Sequence, residues 1–196
     1  MPSGRTRDPD AKRAKIIAAA EQLFAGKRFH EVTTDDIARE AGVSKGTIYR
    51  YFADKDQLFY QIATSGFDDL RDQLETLAND TELEGITLIT QACERVVCFM
   101  RRRRRVLGMQ QAEEERAAAK GGRDKKLWGQ TRAEVVDALA KCLANAQRSK
   151  AVATTHAPEV LAQLLMGMLR ARGRNLGGSI PVSAVVDLFL NGSRPQ

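Results

Sequence analysis

Apolar residues recur every three or four positions along most of the chain, and runs of alternating apolar and polar residues between turn pairs are absent. This spacing brings apolar side chains to one face of an α-helix. Proline, which interrupts helices, does not occur between residues 10 and 157. The pattern therefore predicts an all-helical (all-α) protein of about nine helices.

Capping signals divide the first part of the chain into helices. The first helix is predicted to begin with Asp8 as its N-cap and Pro9 at its first position, and to end at Gly26. The second begins at Thr33, and Asp36 three residues later approximates a capping box. Val32 and Ile37 flank this cap and can act as a hydrophobic staple. Val43 and Ile48 form a second such pair around the next cap, at Ser44.

The next two helices follow without a long loop. Gly42 is predicted to end the second helix after two turns, and Ser44 caps the third. A fourth helix begins at Asp54, with Gln57 three residues later, and is predicted to continue as one helix to about Leu77.

Two short capped helices joined by one glycine turn are typical of a helix-turn-helix. The helices need a small residue where they touch, a glycine in the turn and an apolar anchor in the second helix, and Ala38, Gly42 and Ile48 meet these needs. With Phe52, they set the angle between the helices. In the helix that Ser44 caps, the remaining positions project outward from a unit narrow enough for the DNA major groove. These positions are Lys45, Thr47, Tyr49 and Arg50.

Beyond residue 80 the pattern predicts longer helices. One covers residues 84–105, and a break or short helix follows through Lys120. A long helix covers residues 123–148, and the last two begin at Pro158 and Pro181.

Composition excludes several classes of protein. The three cysteines contain no C-x-x-C pair, so neither a disulfide framework nor a thiolate zinc site is expected, and a reducing, cytoplasmic compartment suits them. No apolar run approaches the length that spans a bilayer, and no signal peptide is indicated.

The net charge of +6 suits a polyanionic partner. Residues 1–60 carry only 11 Lys and Arg against 9 Asp and Glu, so a case for DNA must rest on placed residues.

Residues 14–62 resemble the TetR family of bacterial transcription regulators. The similarity lies in residues 33–38, in Ala-Gly-Val-Ser-Lys-Gly-Thr-Ile-Tyr-Arg-Tyr-Phe at residues 41–52, and in Lys-Asp-Gln-Leu-Phe at residues 55–59. Tyr51 departs from the histidine of many members, although both side chains can donate to a phosphate. The resemblance implies a DNA-binding domain at residues 1–53, followed by a helical ligand-binding and dimerisation domain at residues 54–196.

The resemblance also implies roles in binding double-stranded DNA. Lys45 and Thr47 would approach base edges, and Gly46 would allow the backbone to come close. Arg50 would contact DNA or stay solvated. The contacts to phosphates, which fix register, would come from Thr34, Ser44, Tyr49, Tyr51 and Lys55. A basic N-terminal arm would reach the DNA or remain a frayed tail, and it comprises Arg5, Arg7, Lys12 and Arg13.

The last two helices are the expected dimer elements. Gly167 lies in an otherwise apolar helix, where it costs up to ~1 kcal/mol relative to alanine. Close approach of a second helix would explain this cost. A four-helix bundle across a two-fold axis would use six residues, which alternatively form only the intrachain core: Leu161, Leu165, Met168, Val185, Val186 and Phe189.

Helical bundles often hold ligands in apolar cavities between helices. By this argument and by family analogy, a small-molecule inducer would contact Phe67, Val97, Met100, Met109, Trp128 and Leu164. Trp128 equally suits a core position. The arginine run at residues 101–105 favours a solvated or salt-bridged surface over anion recognition.

These features predict a homodimeric regulator, most often a repressor in this family, which an inducer releases from a palindromic operator. No metal, cofactor or catalytic residue is expected, since nucleophile–base pairs, metal-binding histidine motifs and phosphate-cradling glycine loops are absent from the sequence. The competing interpretations are a helical enzyme and a protein–protein adaptor that uses the helix-turn-helix without DNA. The sign of regulation remains open.

Overall fold

The structure is a computed structural model, and all regular secondary structure in its described residues is helical. It describes residues 9–83, 85–104, 106, 123–152, 155–175 and 179–193. Within the helices, the side chains of residues 123–128, 174–175 and 192–193 lie outside the description.

The described residues form nine α-helices, and a short 3-10 helix (Phe29–Glu31) lies between the first two. In chain order these are α1 (Pro9–Gly26), α2 (Thr34–Ala41), α3 (Lys45–Tyr51), α4 (Lys55–Thr64), α5 (Phe67–Asn79), α6 (Gly85–Arg102), α7 (Arg123–Arg148), α8 (Pro158–Asn175) and α9 (Val182–Ser193). The all-α prediction is confirmed. The region predicted as a break or short helix through Lys120 lies mostly outside the described residues.

Two compact units divide the chain. The first contains α1–α4, and the second contains α5, α6, α8, α9 and α7 from Lys126 onward. The first unit extends to Ser65, beyond the domain boundary predicted at residue 53, because α4 packs against α1.

Three phenylalanine rings hold the first unit together. The ring of Phe24 in α1 lies 5.2 Å from Phe59 in α4 and 5.7 Å from Phe29 in the 3-10 helix, measured between centroids. The third pair, Phe29 and Phe59, is 4.9 Å apart. Each such pair contributes about 0.5–1.5 kcal/mol beyond the burial of its surface. The cluster therefore links α1, α4 and the entry to α2.

The prediction of one helix from Asp54 to Leu77 was wrong. The chain ends α4 at Thr64 and begins α5 at Phe67. Gly66 stands between them with a φ angle of 80°, in the left-handed region that ends a helix. An isolated glycine inside a helical pattern was the available sequence signal.

In the second unit, α6 packs against α5, α8 and α9. Side chains of α7 bind backbone carbonyls of α5: Cys142 Sγ donates to Leu74 O at 3.4 Å, and Asn145 donates to Ala78 O. Cys93 and Cys142 are buried and Cys98 is half-buried. Burial raises the pKa of Cys93 to about 12 and that of Cys142 to about 11, as suits core residues.

Candidate nucleic-acid interface

Reciprocal hydrogen bonds position the start of α2. Thr33 Oγ1 accepts from the backbone N–H of Asp36 at 3.1 Å, and Asp36 Oδ2 accepts from the N–H of Thr33 at 3.1 Å. The capping box is confirmed. These bonds lower the pKa of the Asp36 carboxyl, because both the hydroxyl and the N–H of Thr33 donate to its charged form. Val32 and Ile37, the expected staple, are completely buried.

The turn between α2 and α3 needs a left-handed residue. Gly42 ends α2 with a φ angle of 64°, and the N–H of Val43 reaches Ala38 O at 3.0 Å. A Cβ built on Gly42 would meet no atom within 4 Å. Glycine is therefore favoured here by backbone conformation and not by close packing. The buried Ala38 lies on the inner side of α2 as predicted.

The third helix has one buried face and one open face. Ser44 caps it by accepting from the N–H of Thr47 at 3.2 Å, and the two hydroxyls lie 2.8 Å apart. Ile48 and, just after the helix, Phe52 are 2% and 1% exposed. The opposite face presents side chains to solvent as the sequence predicts, with Thr47 half-buried and with Lys45, Gly46, Tyr49 and Arg50 exposed.

Two of the predicted DNA contacts carry side-chain partners within α2 and α3. Lys45 Nζ donates to Asp35 Oδ2 at 2.9 Å, and this hydrogen bond raises the pKa of Lys45. The guanidinium of Arg50 lies 5.2 Å from the ring centroid of Tyr51. Both pairs lie at the solvent-exposed side of the helix-turn-helix, so they are accessible to a polyanion.

Lys55 has partners that the sequence did not predict. Its ammonium donates to the carbonyls of Phe29 and Val32 at 2.9 Å each, and it lies 4.1 Å from the Phe29 ring centroid. An ammonium has three N–H donors, so one remains beyond these two bonds. Its phosphate contact remains a prediction, as does that of Thr34, a half-buried residue at the first position of α2.

Arg13 also has a structural role that the sequence did not indicate. It lies in α1, where it donates to Gln61 of α4, and its guanidinium is 5.8 Å from the Phe52 ring centroid. Lys12 and Arg13 lie in α1, so the alternative of a frayed tail does not hold for these two residues, and their contact with DNA stays a prediction. Arg5 and Arg7 lie outside the described residues.

Four of the six predicted inducer contacts have side chains that the structure describes. Phe67 is buried 4.6 Å from Phe99, a residue that the sequence did not indicate, and Val97 and Met100 are half-buried on α6. Leu164 is 58% exposed, so it does not line an interior cavity of the chain. The remaining two lie outside the described side chains, namely Met109 and Trp128.

The predicted dimer residues lie mainly in the core of their own chain. Met168 alone among the six is half-buried. The other five are at most 6% exposed and pack inside the second unit, which corrects their assignment as contact surface: Leu161, Leu165, Val185, Val186 and Phe189. Their burial agrees with the alternative that they form the intrachain core.

The arginine run is largely open to solvent. Arg101, Arg102 and Arg104 are exposed, Arg103 is half-buried, and Arg105 lies outside the described residues. Among the helices that the structure describes, none carries an apolar stretch long enough to cross a bilayer.

Sequence relatives match part of the chain. EthR of Mycolicibacterium smegmatis, a helix-turn-helix-type transcriptional regulator, is 38% identical over 66 residues, which cover 30% of each protein. HbdR of an Aromatoleum species, of the same type, is 35% identical over 78 residues, or 40% of this chain and 32% of HbdR. The chain therefore matches about a third of the length of these curated relatives.

Solved structures share the fold over nearly the whole chain. The fatty acid degradation regulator FadR from Bacillus halodurans superposes with a TM-score of 0.74 over 92% of this chain and 99% of its own, at 19% identity. The flavonoid-responsive regulator FrrA has a TM-score of 0.66 over 95% and 99%, at 22% identity. The sequence profile for bacterial regulatory proteins of the tetR family matches residues 16–62, which contain the helix-turn-helix described above. Residues 16–62 are therefore similar to the tetR family of bacterial regulatory proteins, and the chain as a whole shares the fold of the solved regulators.

Proposed function

We propose that this chain is a transcription regulator that binds double-stranded DNA through α3. The observation that carries the proposal is the division of that helix into two faces. Ile48 and Phe52 anchor it in the first unit, whereas Lys45 and Tyr49 stand in solvent on the other side. A short helix held in this way fits the major groove, where base edges carry distinct donor and acceptor patterns.

The regulator acts as a homodimer on a palindromic operator. One short helix reads only a few base pairs, whereas a two-fold dimer brings two such helices to successive turns of one DNA face, about 34–36 Å apart. The support for a dimer comes from exposed apolar residues of α8 and α9. Val160 and Leu164 are 50% and 58% exposed, and Leu188 of α9 is 67% exposed.

The position of Gly167 is a second argument for a dimer contact on the exposed side of α8. Val160, Leu164 and Gly167 follow each other at intervals of four and three residues, so they share one side of the helix. A Cβ at Gly167 would meet nothing within 4 Å in the single chain. Packing within the chain therefore does not require glycine there, whereas close approach by a second copy would.

A small molecule bound by the second unit releases the DNA in this proposal. The chemistry of the inducer is open, because the structural relatives include one regulator named for flavonoids and one named for fatty acid degradation. Binding of inducer and DNA would be coupled reciprocally, so DNA would weaken inducer binding by the factor by which inducer weakens DNA binding. We further propose that the chain represses transcription in the cytoplasm and is not an enzyme.

Selection of bound duplexes from a random pool tests the proposal. Enrichment of a palindrome is expected, and affinity for it should fall steeply with salt, because several phosphate contacts release counterions. Lys45→Ala should weaken binding several-fold, whereas Arg95→Ala, which removes an exposed charge from α6, should not. Circular dichroism checks that both variants remain helical.

Two results would contradict the proposal. A pool that enriches no palindrome would favour a protein–protein adaptor, and an affinity that is constant across a salt series would exclude phosphate contacts. If a palindrome is enriched, flavonoids and long-chain acyl compounds are the first molecules to test for release of the duplex.

A further inference from the structure

An ion pair joins the two helices of the helix-turn-helix on the side proposed to meet DNA. Lys45 Nζ lies 2.9 Å from Asp35 Oδ2, and the two side chains are 49% and 69% exposed. Lys45 is the first residue of α3 and Asp35 the second residue of α2. The pair therefore spans the turn between the helices, and a DNA duplex can reach it.

The ion pair restrains a side chain that is otherwise a mobile point charge. A lysine ammonium has three N–H donors on a flexible stem, and any phosphate attracts it. The bond to Asp35 uses one donor and directs the stem of Lys45 toward α2. A DNA acceptor beside the held ammonium can take another donor with the pair intact. A phosphate placed elsewhere can be reached only after the pair has broken.

We propose that Asp35 is a specificity-determining residue of this regulator. By restraining Lys45, it favours DNA whose acceptor lies beside the held ammonium, and it disfavours contacts to randomly placed phosphates. Asp35 acts through Lys45 and is a positioning residue. This inference rests on the proposed function, because it concerns the DNA-facing side of α3.

The charge of Asp35 has a second effect that must be separated from the first. Removing any acidic residue near DNA raises affinity for all duplexes, because repulsion from phosphates is lost. Glu40 provides the matched control. It is exposed on the same helix and, within the described part of the chain, forms no ion pair. Glu40→Gln and Asp35→Asn change the net charge equally, but only Asp35→Asn releases Lys45.

The experiment compares both variants on the selected palindrome and on a scrambled duplex at one salt concentration. Glu40→Gln should raise both affinities by the same factor. Asp35→Asn should raise affinity for the scrambled duplex about two- to five-fold more than affinity for the palindrome, for each bound protomer. In a Lys45→Gln background, Asp35→Asn should behave like Glu40→Gln. The proposal would be overturned if Asp35→Asn and Glu40→Gln changed the ratio of palindrome affinity to scrambled-duplex affinity by the same factor.

A measurement without DNA keeps the two proposals distinguishable. Titration of the Lys45 side chain by NMR in the free protein should show a lower pKa in Asp35→Asn than in the wild type, and no such change in Glu40→Gln. An unchanged pKa would overturn the role of Asp35 while leaving the proposed function intact. Failure of the wild-type protein to select any duplex would overturn both.

Discussion

The ammonium of Lys55 and the ring of Phe29 lie 4.1 Å apart, although 26 positions separate them in the chain. The same ammonium donates hydrogen bonds to the backbone carbonyls of Phe29 and Val32. Lys55 thus joins the start of α4 to the segment that leads into α2. This contact bears on stability, and it involves a residue for which a phosphate contact is proposed.

Replacing Lys55 with methionine should destabilise the protein. The apolar stem is largely kept, but two carbonyls lose a charged donor, at a cost of about 1–3 kcal/mol. A urea titration followed by circular dichroism measures the loss. Lys15→Met, at an exposed position of α1, is the control and should have little effect. Equal unfolding midpoints for Lys55→Met and the wild type would show that these bonds do not contribute.

Gly66→Ala should also lower stability, by about 1–2 kcal/mol, because an alanine there must adopt a left-handed conformation. The site itself has room, since a Cβ would lie 3.4 Å from Phe99 Cε2. Gly129→Ala provides a comparison of opposite sign. Gly129 lies within α7 in open space, so alanine should stabilise the helix by about 1 kcal/mol or less. Thermal unfolding that gives both variants the same direction of change would contradict this account.

The thiols should differ in reactivity. Cys93 and Cys142, with pKa values raised to about 12 and about 11, remain protonated at pH 8, and the thiolate is the reactive form. Cys98 is half-buried and should react first with a thiol reagent such as DTNB. Reaction of all three at equal rates in native buffer would indicate that the second unit opens readily. Full labelling in denaturant is the control.

The same pKa values predict a loss of stability at alkaline pH. The ordinary pKa of a cysteine thiol is 9.0. From about pH 9 upward, the unfolded chain therefore releases the thiol protons of Cys93 and Cys142 before the folded chain does. The thiols therefore leave the free energy of unfolding unchanged below that pH and lower it as the pH rises toward 11 and 12. Cys142→Ser should reduce this alkaline dependence, measured as urea midpoints against pH.

Leu164→Glu should convert the proposed dimer to a monomer. The substitution places a charge within the exposed apolar side of α8, where a second copy would bury it without a partner. Gln73→Glu introduces the same charge at an exposed position of α5, away from this side of α8, and is the control. Light scattering at micromolar concentration distinguishes the two masses. A dimer of undiminished stability in Leu164→Glu would exclude this side of α8 as the interface.

Local signals in the amino-acid order were sufficient for the helix-turn-helix. Thr33 and Ser44 bind backbone groups three residues away, and Gly42 ends a helix through its own φ angle. Such interactions span one helical turn, so they can be inferred without knowing the rest of the fold. The open face of α3 followed from the same spacing. The break at Gly66 was missed because glycine is also tolerated inside helices.

Packing between distant segments decided the remainder. On α8, Leu161 and Leu165 form one apolar stripe, and Val160 and Leu164 form another, rotated by about 100°. Periodicity detects both stripes, but burial in the core depends on where α6 and α9 lie against the helix. The first stripe is inside and the second is in solvent. The contacts of Lys55 with Phe29 and Val32 could not be predicted for the same reason. They join residues that are distant in the chain, and no local sequence pattern indicates which distant residues will meet.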